Sequence, residues 1–561
     1  MRAFAFPDGE DGRGEAALFA ENPIPGEYCT MLKSAVSALV LLALPVRLPA
    51  QCPDGTPPPC GGVPARPAAP APGSIAVFPF ENRSPDSADA YLAEALPEEI
   101  FGRLARVEGL AVKSGTAVRA QWRRTPDPMA AARALRVQWF VTGTLRRAGR
   151  DLAVSAELVR ANSGDGVWGS PFRRGADDLA AVEEQIAESV AVAVVGRLAP
   201  SQIALLRRRV TRDAEAYRLY LYGRTLMNRR TPADIAGAAI AFQRATVLDA
   251  DFAAAWARLS YVRGLEFQWG NPENLSQDSL RPLARAAAAR ALRLDSTLAE
   301  AWTASGYLAV VDSDLGLAHR AYERALRLDS LSADTYHGIG YMYGVEYLDL
   351  PELARPYLRR TLALDPDLRN TWRHLALAAR DEGRLDVAEA LLDTALSRGP
   401  WAIGAAERSL VRFARGDAVG ALSDLDTWAR TDTTMSPAGW VGLPASAWRA
   451  IYRVGIGDTA GVRRLLPLAA ALADSGKRQA LAAIALVDAV LGDREGVIAA
   501  VQRLAGIAAP PGPRCGPAPC SSDLWLWQFL HQPLLAGVRD DPRVQRLLAE
   551  TRPVVPWLGA R

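Results

Sequence analysis

Histidine is scarce in this chain of 561 residues, which contains only four: His319, His337, His374 and His531. The first three fall in segments with helical periodicity, and none belongs to an HExxH pattern. The sequence also lacks nucleophile-elbow and phosphate-loop patterns. We therefore predict a protein that is not an enzyme and that has no catalytic residues, no metal site and no cofactor.

Neither sign of charge is in large excess, because 65 basic residues face 62 acidic ones and the formal net charge is +3. This balance argues against nucleic acid or an anionic membrane as the main partner. Hydrophobic residues make up 49% of the chain, so it can bury a core and form several domains. We predict a protein or peptide partner and no nucleic-acid partner, and the sequence leaves the oligomeric state open.

The apolar run near the beginning of the chain, residues 35–44, is shorter than the roughly 20 residues that a membrane span needs. Lys33 precedes this run and a small-residue site ending at Ala50 follows it, which is typical of a cleaved signal peptide over residues 31–50. Residues 1–30 are polar and acidic, which favours a translation start at Met31. We expect an exported protein, periplasmic or secreted from the bacterial cell envelope, and not a transmembrane one. A lipid anchor on Cys52 is a weaker interpretation, because Gln51 is bulky.

Cysteine is rare as well, and four of the five cysteines form two local pairs, Cys52 with Cys60 and Cys515 with Cys520. In an oxidising compartment each pair can close a small loop as a disulfide. A zinc site is the alternative, but the spacings are not those of a zinc ribbon and no histidine lies near either pair. Residues 51–73 are rich in proline and alanine and are predicted to form a linker.

A recurrence of about 34 residues fills the middle of the chain, which is the period of a helix-turn-helix solenoid unit. Its register marks are Asp295, Asp329, Asp365 and Pro400, each of which closes a helical stretch. In the unit that starts near Ala299, small residues stand at the eighth (Gly306), twentieth (Ala318) and twenty-seventh (Ala325) places. Large residues stand at the fourth (Trp302) and twenty-fourth (Tyr322) places. Small residues let paired helices approach, while large residues fill the gaps between pairs.

These units resemble the tetratricopeptide repeat family across residues 214–400. Looser helical segments over residues 401–510 indicate degenerate repeats, and residues 511–561 a cap or tail. The apolar cluster around Trp525 and Phe529 either caps the last helix face or forms a partner-binding patch. The fold class that we predict is a small α+β domain followed by an all-α solenoid, mostly α overall.

Residues 74–198 differ in character and predict the α+β domain. Strands are expected at 74–82, around Leu110, at 137–147, at 151–161 and at 167–172, with helices at 88–95, from Pro97 to residue 105, at 127–135 and at 177–197. This order resembles the TolB-type amino-terminal domain, on the segments IAVFPFEN, YLAEALPEEI and VTGTLRRAGRDLAVSAELVRANSGDGVWG. The sequence departs from that family at Pro97 and at Pro171. The resemblance implies an exported, non-catalytic member of a family in which other members carry a kinase, cyclase or DNA-binding domain.

In tetratricopeptide arrays certain places of the first helix of each unit line a concave groove. The ninth place is Tyr261, Tyr307 and Tyr341 in three successive units. The same alignment predicts a groove that binds a peptide or a partner, lined also by Glu300, Thr303, Asp334, His337, Asn370, Arg373 and Arg380. Tyrosine suits such contacts because it combines a rigid apolar ring with a polar tip. The alternative is that these rings only fill the groove by packing on their neighbours.

The function that we predict is a non-catalytic protein-protein interaction scaffold or adaptor in the cell envelope, which binds its partner in the groove of the repeats. The alternative is a sensory module whose TolB-like domain binds a small ligand or an envelope component and signals through the repeats. An enzyme is a third and weaker possibility, since no set of catalytic groups converges.

Overall fold

The computed structural model describes residues 70–84, 90–148, 151–175, 178–229, 231–269, 277–344, 347–399, 401–431, 443, 445–473, 477–509, 512–515 and 519–558. The predicted leader, the signal peptide, most of the linker and the Cys52 and Cys60 pair lie outside these residues. Among the described helices none is both long enough and apolar enough to cross a membrane.

A six-stranded mixed sheet occupies the first part of the described chain. Its strands are β1 (Ser74–Val77), β2 (Glu81–Asn82), β3 (Ala111–Val112), β4 (Trp139–Ala148), β5 (Asp151–Arg160) and β6 (Gly166–Gly175). The order is β3-β1-β4-β5-β6, with β2 beside β4. Strand β1 is parallel to β3 and β4, whereas β4, β5 and β6 are antiparallel. Every second residue of β5 from Leu152 to Leu158 is buried in the larger core on one face of the sheet. A smaller apolar cluster with Ala76, Phe78 and Phe140 covers the other face.

Five helices accompany this sheet: α1 (Ala90–Leu104), α2 (Gly115–Arg124), α3 (Pro128–Leu135), α4 (Leu179–Val195) and α5 (Pro200–Leu206). The sequence predicted a break before Pro97, but α1 runs through this residue. Proline has no N–H, so the carbonyl of Ala93 loses its usual partner in the helix. The Phe80 N–H donates to that carbonyl oxygen at 3.0 Å, which satisfies it from the neighbouring loop.

Paired helices form most of the remaining described chain, and the predicted fold class is confirmed. The array helices are α6 (Ala214–Arg229), α7 (Pro232–Leu248), α8 (Ala253–Trp269), α9 (Gln277–Leu294), α10 (Ala299–Val311), α11 (Leu315–Leu328), α12 (Ala333–Tyr343), α13 (Pro351–Leu364), α14 (Arg369–Asp381), α15 (Leu385–Leu396), α16 (Ala402–Ala414), α17 (Ala418–Thr431), α18 (Ala445–Val454), α19 (Ala460–Ala473), α20 (Arg478–Leu491) and α21 (Arg494–Ala505). The first helices of successive hairpins contact one another from α8 to α16, as in a solenoid.

The repeated aspartates have a structural reason, because each ends a second helix and shapes the turn that follows it. The Asp295 carboxylate accepts from the Thr297 N–H at 2.9 Å, and Asp249, Asp329 and Asp365 accept in the same way from the N–H two residues on. Such a local bond favours a turn over continuation of the helix. A tryptophan at the fourth place closes the same turn, since the Trp302 indole N–H donates to the Ser296 carbonyl at 2.8 Å.

Glycine at the eighth place allows the two helices of a hairpin to touch. A Cβ atom on Gly306 would lie 2.7 Å from the Tyr322 ring, and one on Gly340 would lie 2.5 Å from the Leu358 side chain. Both contacts are closer than carbon atoms tolerate, so these positions require glycine unless the helices separate. Tyr322 and Leu358 are fully buried. The spacing of small and large residues in the sequence thus corresponds to direct contacts.

The described chain contains two large apolar cores and four smaller apolar clusters. The larger runs without a break from the sheet, through Ile75 and Leu158, into the array as far as Leu375. The second lies among α16–α21 and the two terminal helices α22 (Leu524–Leu530) and α23 (Pro542–Thr551). Phe529 and Leu530 are fully buried in this second core. Helix α22 therefore packs onto the last array helices, as expected of a cap.

Candidate partner-binding surface

The ninth-place tyrosines form a continuous row of ring contacts along the first helices, called here the aromatic stack. The rings of Tyr307 and Tyr341 lie nearly parallel, at 22°, whereas those of Tyr261 and Tyr307 are tilted by 55°. The ring centroids of Tyr261 and Tyr307 are 5.3 Å apart, and those of Tyr307 and Tyr341 are 6.3 Å apart. The imidazole of His374 on α14 continues the stack at 5.1 Å from Tyr341, and the Tyr347 ring meets Tyr341 edge-on at 5.0 Å. Four helices (α8, α10, α12 and α14) thus share one aromatic stack.

These rings are buried, with exposed fractions of 6% for Tyr261, 5% for Tyr307 and 6% for Tyr341. They pack against one another and against neighbouring side chains, and they do not present an open contact surface. Their arrangement is closer to the packing alternative than to an exposed ladder. The stack sets the spacing between successive hairpins, and the polar residues next to it are the groups that reach the solvent.

Polar residues run beside the stack and bond to one another. The hydroxyls of Thr303 and Thr335 are 2.7 Å apart, and the Thr371 hydroxyl lies 3.0 Å from Nδ1 of His337. The two acidic residues of the predicted wall share one cation: Arg258 is 2.5 Å from Glu300 and 3.6 Å from Asp334. The carboxylates are a third or less exposed, and Asn370 on the next first helix is half-buried.

The two basic residues of the predicted wall are used inside the protein. Arg373 donates to one oxygen of Glu407 at 3.1 Å, and Arg380 donates to the other oxygen at the same distance. Arg380 also bonds Asp381 at 2.8 Å. All four side chains are buried, so this network joins α14 to α16. The structure therefore divides the ten predicted residues into a buried set (Tyr261, Thr303, Tyr307, Tyr341, Arg373 and Arg380) and a half-buried set (Glu300, Asp334, His337 and Asn370).

The loops that join successive hairpins are called here the inter-hairpin edge (residues 249–252, 295–298, 329–332 and 365–368). Two of them, at 295–298 and 365–368, contact the sheet part of the chain. Arg208 bonds Asp295 at 2.7 Å, and Arg123 of α2 is 3.2 Å from Asp367. Ser114 at the start of α2 donates to the Leu364 carbonyl at 2.9 Å, and Thr116 donates to the same oxygen. This edge was not predicted from the sequence. The sequence signal that marks it is the aspartate that recurs at the start of each loop, such as Asp295.

A buried ion pair joins the sheet part to the first array helix. The Glu183 carboxylate of α4 is fully buried and accepts from the Tyr217 hydroxyl of α6 at 2.6 Å. Arg103 of α1 lies 3.4 Å from the same oxygen and also donates to the Leu206 carbonyl. Burial raises the pKa of Glu183 to about 7, against the attraction of Arg103.

A small cleft opens at the carboxyl end of β1, with an enclosed space of about 20 Å³, roughly that of one water molecule. Its lining residues come from β1, α1 and the first turns of α2: Val77, Pro79, Glu94, Pro97, Glu98, Gly115 and Arg119. Arg119 forms an ion pair with Glu98. The carboxyl ends of parallel strands are common ligand sites in α/β sheets, because the loops diverge there.

The turns within hairpins, defined here as the hairpin-turn edge (residues 312–314 and 347–350), contact the C-terminal part of the chain. Arg514 exchanges backbone bonds with this edge, donating to the Ser313 carbonyl at 2.7 Å and accepting from the Leu315 N–H at 2.8 Å. The Trp527 indole donates to the Asp349 carbonyl at 3.3 Å. A disulfide joins Cys515 to Cys520, and both cysteines are buried.

Asp312 and Asp314 belong to the hairpin-turn edge, and each has a partner within the protein. Asp312 bonds Arg285 at 2.6 Å, and Asp314 caps α11 by accepting from the Leu317 N–H at 3.0 Å. In the described part of the chain no group of three or more histidine, cysteine, aspartate or glutamate side chains is placed to hold a metal ion.

Each comparison with known proteins covers only part of the chain. A family model described as the HilA/YgeH-like transcriptional regulator, second domain, matches residues 71–188. A protein named putative adenylate cyclase 3, from Rhizobium meliloti (strain 1021), is 30% identical over 215 residues. That match covers 38% of this chain, and the chain spans only 37% of the length of that relative.

Solved structures similar to this chain include tetratricopeptide proteins. PilW, a type IV pilus biogenesis factor, is 13% identical with a TM-score of 0.28, over 45% of this chain and 92% of that one. YrrB, described as a TPR protein with an unusual peptide-binding site, is 24% identical with a TM-score of 0.25, over 34% of this chain and 92% of that one. PilF of Pseudomonas aeruginosa is 16% identical with a TM-score of 0.28, over 45% of this chain and 91% of that one.

Proposed function

We propose that this protein is a non-catalytic scaffold that binds a partner polypeptide along the first helices of its repeat array. The observation that carries this proposal is the unbroken aromatic stack from Tyr261 to His374, which aligns four first helices into one surface. A surface that continues across several hairpins suits an extended segment or a partner helix. Its contact groups are the half-buried Glu300, Asp334, His337 and Asn370, since the rings behind them are covered.

Export to the cell envelope and a TolB-type sheet domain are part of the same proposal. The apolar segment at residues 35–44 with its small-residue site supports export. The buried disulfide between Cys515 and Cys520 suits an oxidising compartment, where such bonds persist. The near balance of charge supports a protein partner over nucleic acid.

A pull-down with the exported chain as bait tests the proposal. A double variant, Asp334→Asn with Asn370→Ala, changes the half-buried row and leaves the aromatic stack in place. We expect it to lose most of the partner that the wild type recovers. The matched control is Val247→Ser on α7, where the side chain is 79% exposed on a second helix. Equal recovery by both variants would remove the first-helix surface from the account.

A sensory function is the second candidate, and the cleft beside β1 favours it. Arg119 lines this cleft from α2, and the first turn of α2 is bonded to the Leu364 carbonyl of the array. A ligand that moves α2 would therefore act on the inter-hairpin edge. The likeness of residues 71–188 to a regulator domain supports the same function.

The cleft is small, and its acidic and basic walls are already paired through Glu98 and Arg119. Under the sensory function we expect a small ligand to raise the melting temperature saturably, which a screen of small polar compounds tests. The Glu94→Ala variant, which changes the exposed wall, should lose this shift. The absence of any shift with the wild type would count against a sensory site at this cleft.

A further inference from the structure

We propose that the buried carboxyl groups of Asp349 and Asp381 share one proton, and that loss of this proton weakens the contact between the hairpin-turn edge and helix α22. The docking of the C-terminal part onto the array is then sensitive to pH. The inference uses none of the half-buried residues of the first-helix surface, so it does not depend on the proposed partner.

Asp349 carries a carboxyl group that is buried without a hydrogen-bond donor. The residue is 2% exposed, and within the described chain neither of its carboxyl oxygens accepts a hydrogen bond. Asp381, the last residue of α14, is also buried. The Arg380 Nε–H donates to one of its oxygens at 2.8 Å, and the described residues provide no donor for the other. Two ionised carboxylates in this arrangement would be unfavourable, because burial and mutual repulsion both disfavour charge.

A single proton resolves this shortage of donors. Asp349 and Asp381 are within hydrogen-bonding reach of each other. A protonated Asp349 has an O–H group that can donate to the free oxygen of Asp381, while ionised Asp381 keeps its bond from Arg380. Burial and the neighbouring carboxylate of Asp381 both raise the pKa of Asp349 well above its usual range. The pair therefore keeps a proton at a pH at which ordinary aspartates are ionised.

On the array side the charged groups around the pair do not replace this proton. Arg380 already divides its donors between Asp381 and Glu407, at 2.8 Å and 3.1 Å. Its positive charge lowers the pKa of Asp349 but does not offset burial, and the negative charge of Glu352 on α13 raises that pKa further.

The basic groups of the C-terminal part are engaged as well. Nδ1 of His531 is 3.5 Å from the Asp349 carboxyl, but its N–H donates to the Trp527 carbonyl at 2.9 Å. Arg539 donates to the backbone carbonyls of residues 530–532. Neither group supplies a short hydrogen bond to Asp349.

The backbone at Asp349 is unusual too. Its φ is 50°, in the left-handed region that favours glycine, and its N–H donates to the Gly344 carbonyl at 2.9 Å. Aspartate is tolerated there at some cost in free energy. An unfavourable backbone conformation that carries a buried acidic side chain points to a role for that side chain.

The loop that carries Asp349 is the loop on which α22 docks. The Asp349 carbonyl accepts from the Trp527 indole N–H at 3.3 Å, and the Gln528 amide donates to the Tyr347 carbonyl at 2.9 Å. The folded state favours protonated Asp349. The stability that this residue adds is therefore complete below its ordinary pKa of 3.8 and is lost as the pH rises through the raised pKa. His531 has the opposite sign, because burial lowers its pKa and its contribution is lost as the pH falls.

Infrared spectroscopy of the full chain, isotope-labelled in its aspartate carboxyl groups, tests for the proton directly. The label excludes Glu183, whose pKa is also raised. At about pH 6, where ordinary aspartates are ionised, we expect the difference between the wild type and Asp349→Asn to contain the carbonyl stretch of one protonated aspartate. The matched control is Asp386→Asn on α15, whose side chain is 85% exposed and which should keep the signal of the wild type.

Hydrogen exchange at residues 347–350 and 524–530, corrected for the intrinsic effect of pH, measures the contact itself. Between about pH 5 and about pH 8 we expect exchange in the wild type to increase about tenfold and exchange in Asp349→Asn to stay level. If Asp349→Asn does not fold, Asp381→Asn replaces it in both experiments, because it removes the other half of the pair.

Three results would each overturn the proposal: no protonated aspartate in the wild type at about pH 6, a signal that survives in the folded variant, or parallel exchange profiles for wild type and variant. A wild-type contact that weakens as the pH falls would assign the sensitivity to His531 and would also overturn it.

Discussion

The two edges of the repeat array are held by different physical interactions. The inter-hairpin edge meets the sheet part of the chain mainly through charged and polar contacts, such as those of Arg208 with Asp295 and Arg123 with Asp367. The hairpin-turn edge meets the C-terminal part mainly through backbone bonds of Arg514 and the indole of Trp527, with one ion pair between Arg514 and Asp314. Charged contacts at a surface weaken with salt, whereas apolar contacts do not.

Both neighbours of the array are nevertheless permanent parts of the fold. The sheet part is tied in by a buried ion pair and shares one continuous core with the repeats, so its release would cost a large part of the fold. The tail packs on the same core through the buried Pro553 and the half-buried Val555 and Trp557. The two interfaces therefore differ in the interactions that hold them and not in whether they can open.

The largest effect is expected at the buried pair of the sheet part. Replacing Arg103 by methionine leaves the Glu183 carboxylate buried without its cation, and we expect the free energy of unfolding to fall by about 3 kcal/mol. Urea unfolding measures this loss. The matched control is Arg83→Met, whose pair with Glu81 is about 60% exposed and should matter little. Similar losses in the two variants would contradict a permanent, buried interface.

The next effect concerns pH. Burial raises the pKa of Glu183 to about 7 in the folded state, from 4.5 in the unfolded chain, so the folded state binds the extra proton between these values. The contribution of Glu183 to stability is therefore present below pH 4.5 and is lost as the pH rises through about 7. We expect Glu183→Gln to be less sensitive to pH than the wild type across this window in urea unfolding. Parallel curves for the two proteins would contradict this assignment.

The repeats themselves support both edges, and their packing can be tested at one glycine. A Cβ atom on Gly306 would lie 2.7 Å from the Tyr322 ring, so Gly306→Ala should lower the free energy of unfolding by about 2 kcal/mol. Gly102→Ala on α1 is the matched control, because its Cβ would meet nothing within 4 Å. The control should be neutral or slightly stabilising, since alanine favours helix. A loss at Gly102 as large as that at Gly306 would rule out close packing as the cause.

The smallest effect separates the two edges directly. Raising the salt concentration should increase amide exchange at residues 115–124 and 365–368, because ion pairs such as Arg123 with Asp367 are screened. Exchange at residues 552–557 should stay the same or decrease, because their contacts are aromatic and apolar. Hydrogen exchange with mass spectrometry measures both in one experiment. An increase confined to the tail would reverse our assignment of the two edges.

The sequence predicted the parts of the fold that repeat. The 34-residue period gave the helices and the close contacts at Gly306 and Gly340, since local spacing determines them. The sequence pattern did not predict α2, because this helix is short and polar and only Val118 and Ala120 of its residues are buried. It also predicted a break at Pro97, which the Phe80 N–H prevents by bonding the freed carbonyl.

The candidate site was less predictable, because burial and long-range contacts are not written in a local pattern. The alignment placed Tyr261, Tyr307 and Tyr341 in line, and the structure stacks them, yet it also buries them. Nothing in the sequence pairs Thr116 with Leu364 or Trp557 with Tyr343, which are 248 and 214 residues apart. Such contacts depend on how the whole chain folds back on itself.

Site-specific photo-crosslinking is the most direct test of the central claim, that a partner polypeptide lies along the first helices of the array. A photoreactive residue is placed at Asn370 in one protein and at the exposed Val247 of α7 in another. The account predicts that one discrete partner is crosslinked at position 370 and not at position 247, and that unlabelled partner competes for it. Crosslinking of the same proteins at both positions, or of none at position 370, would contradict the account.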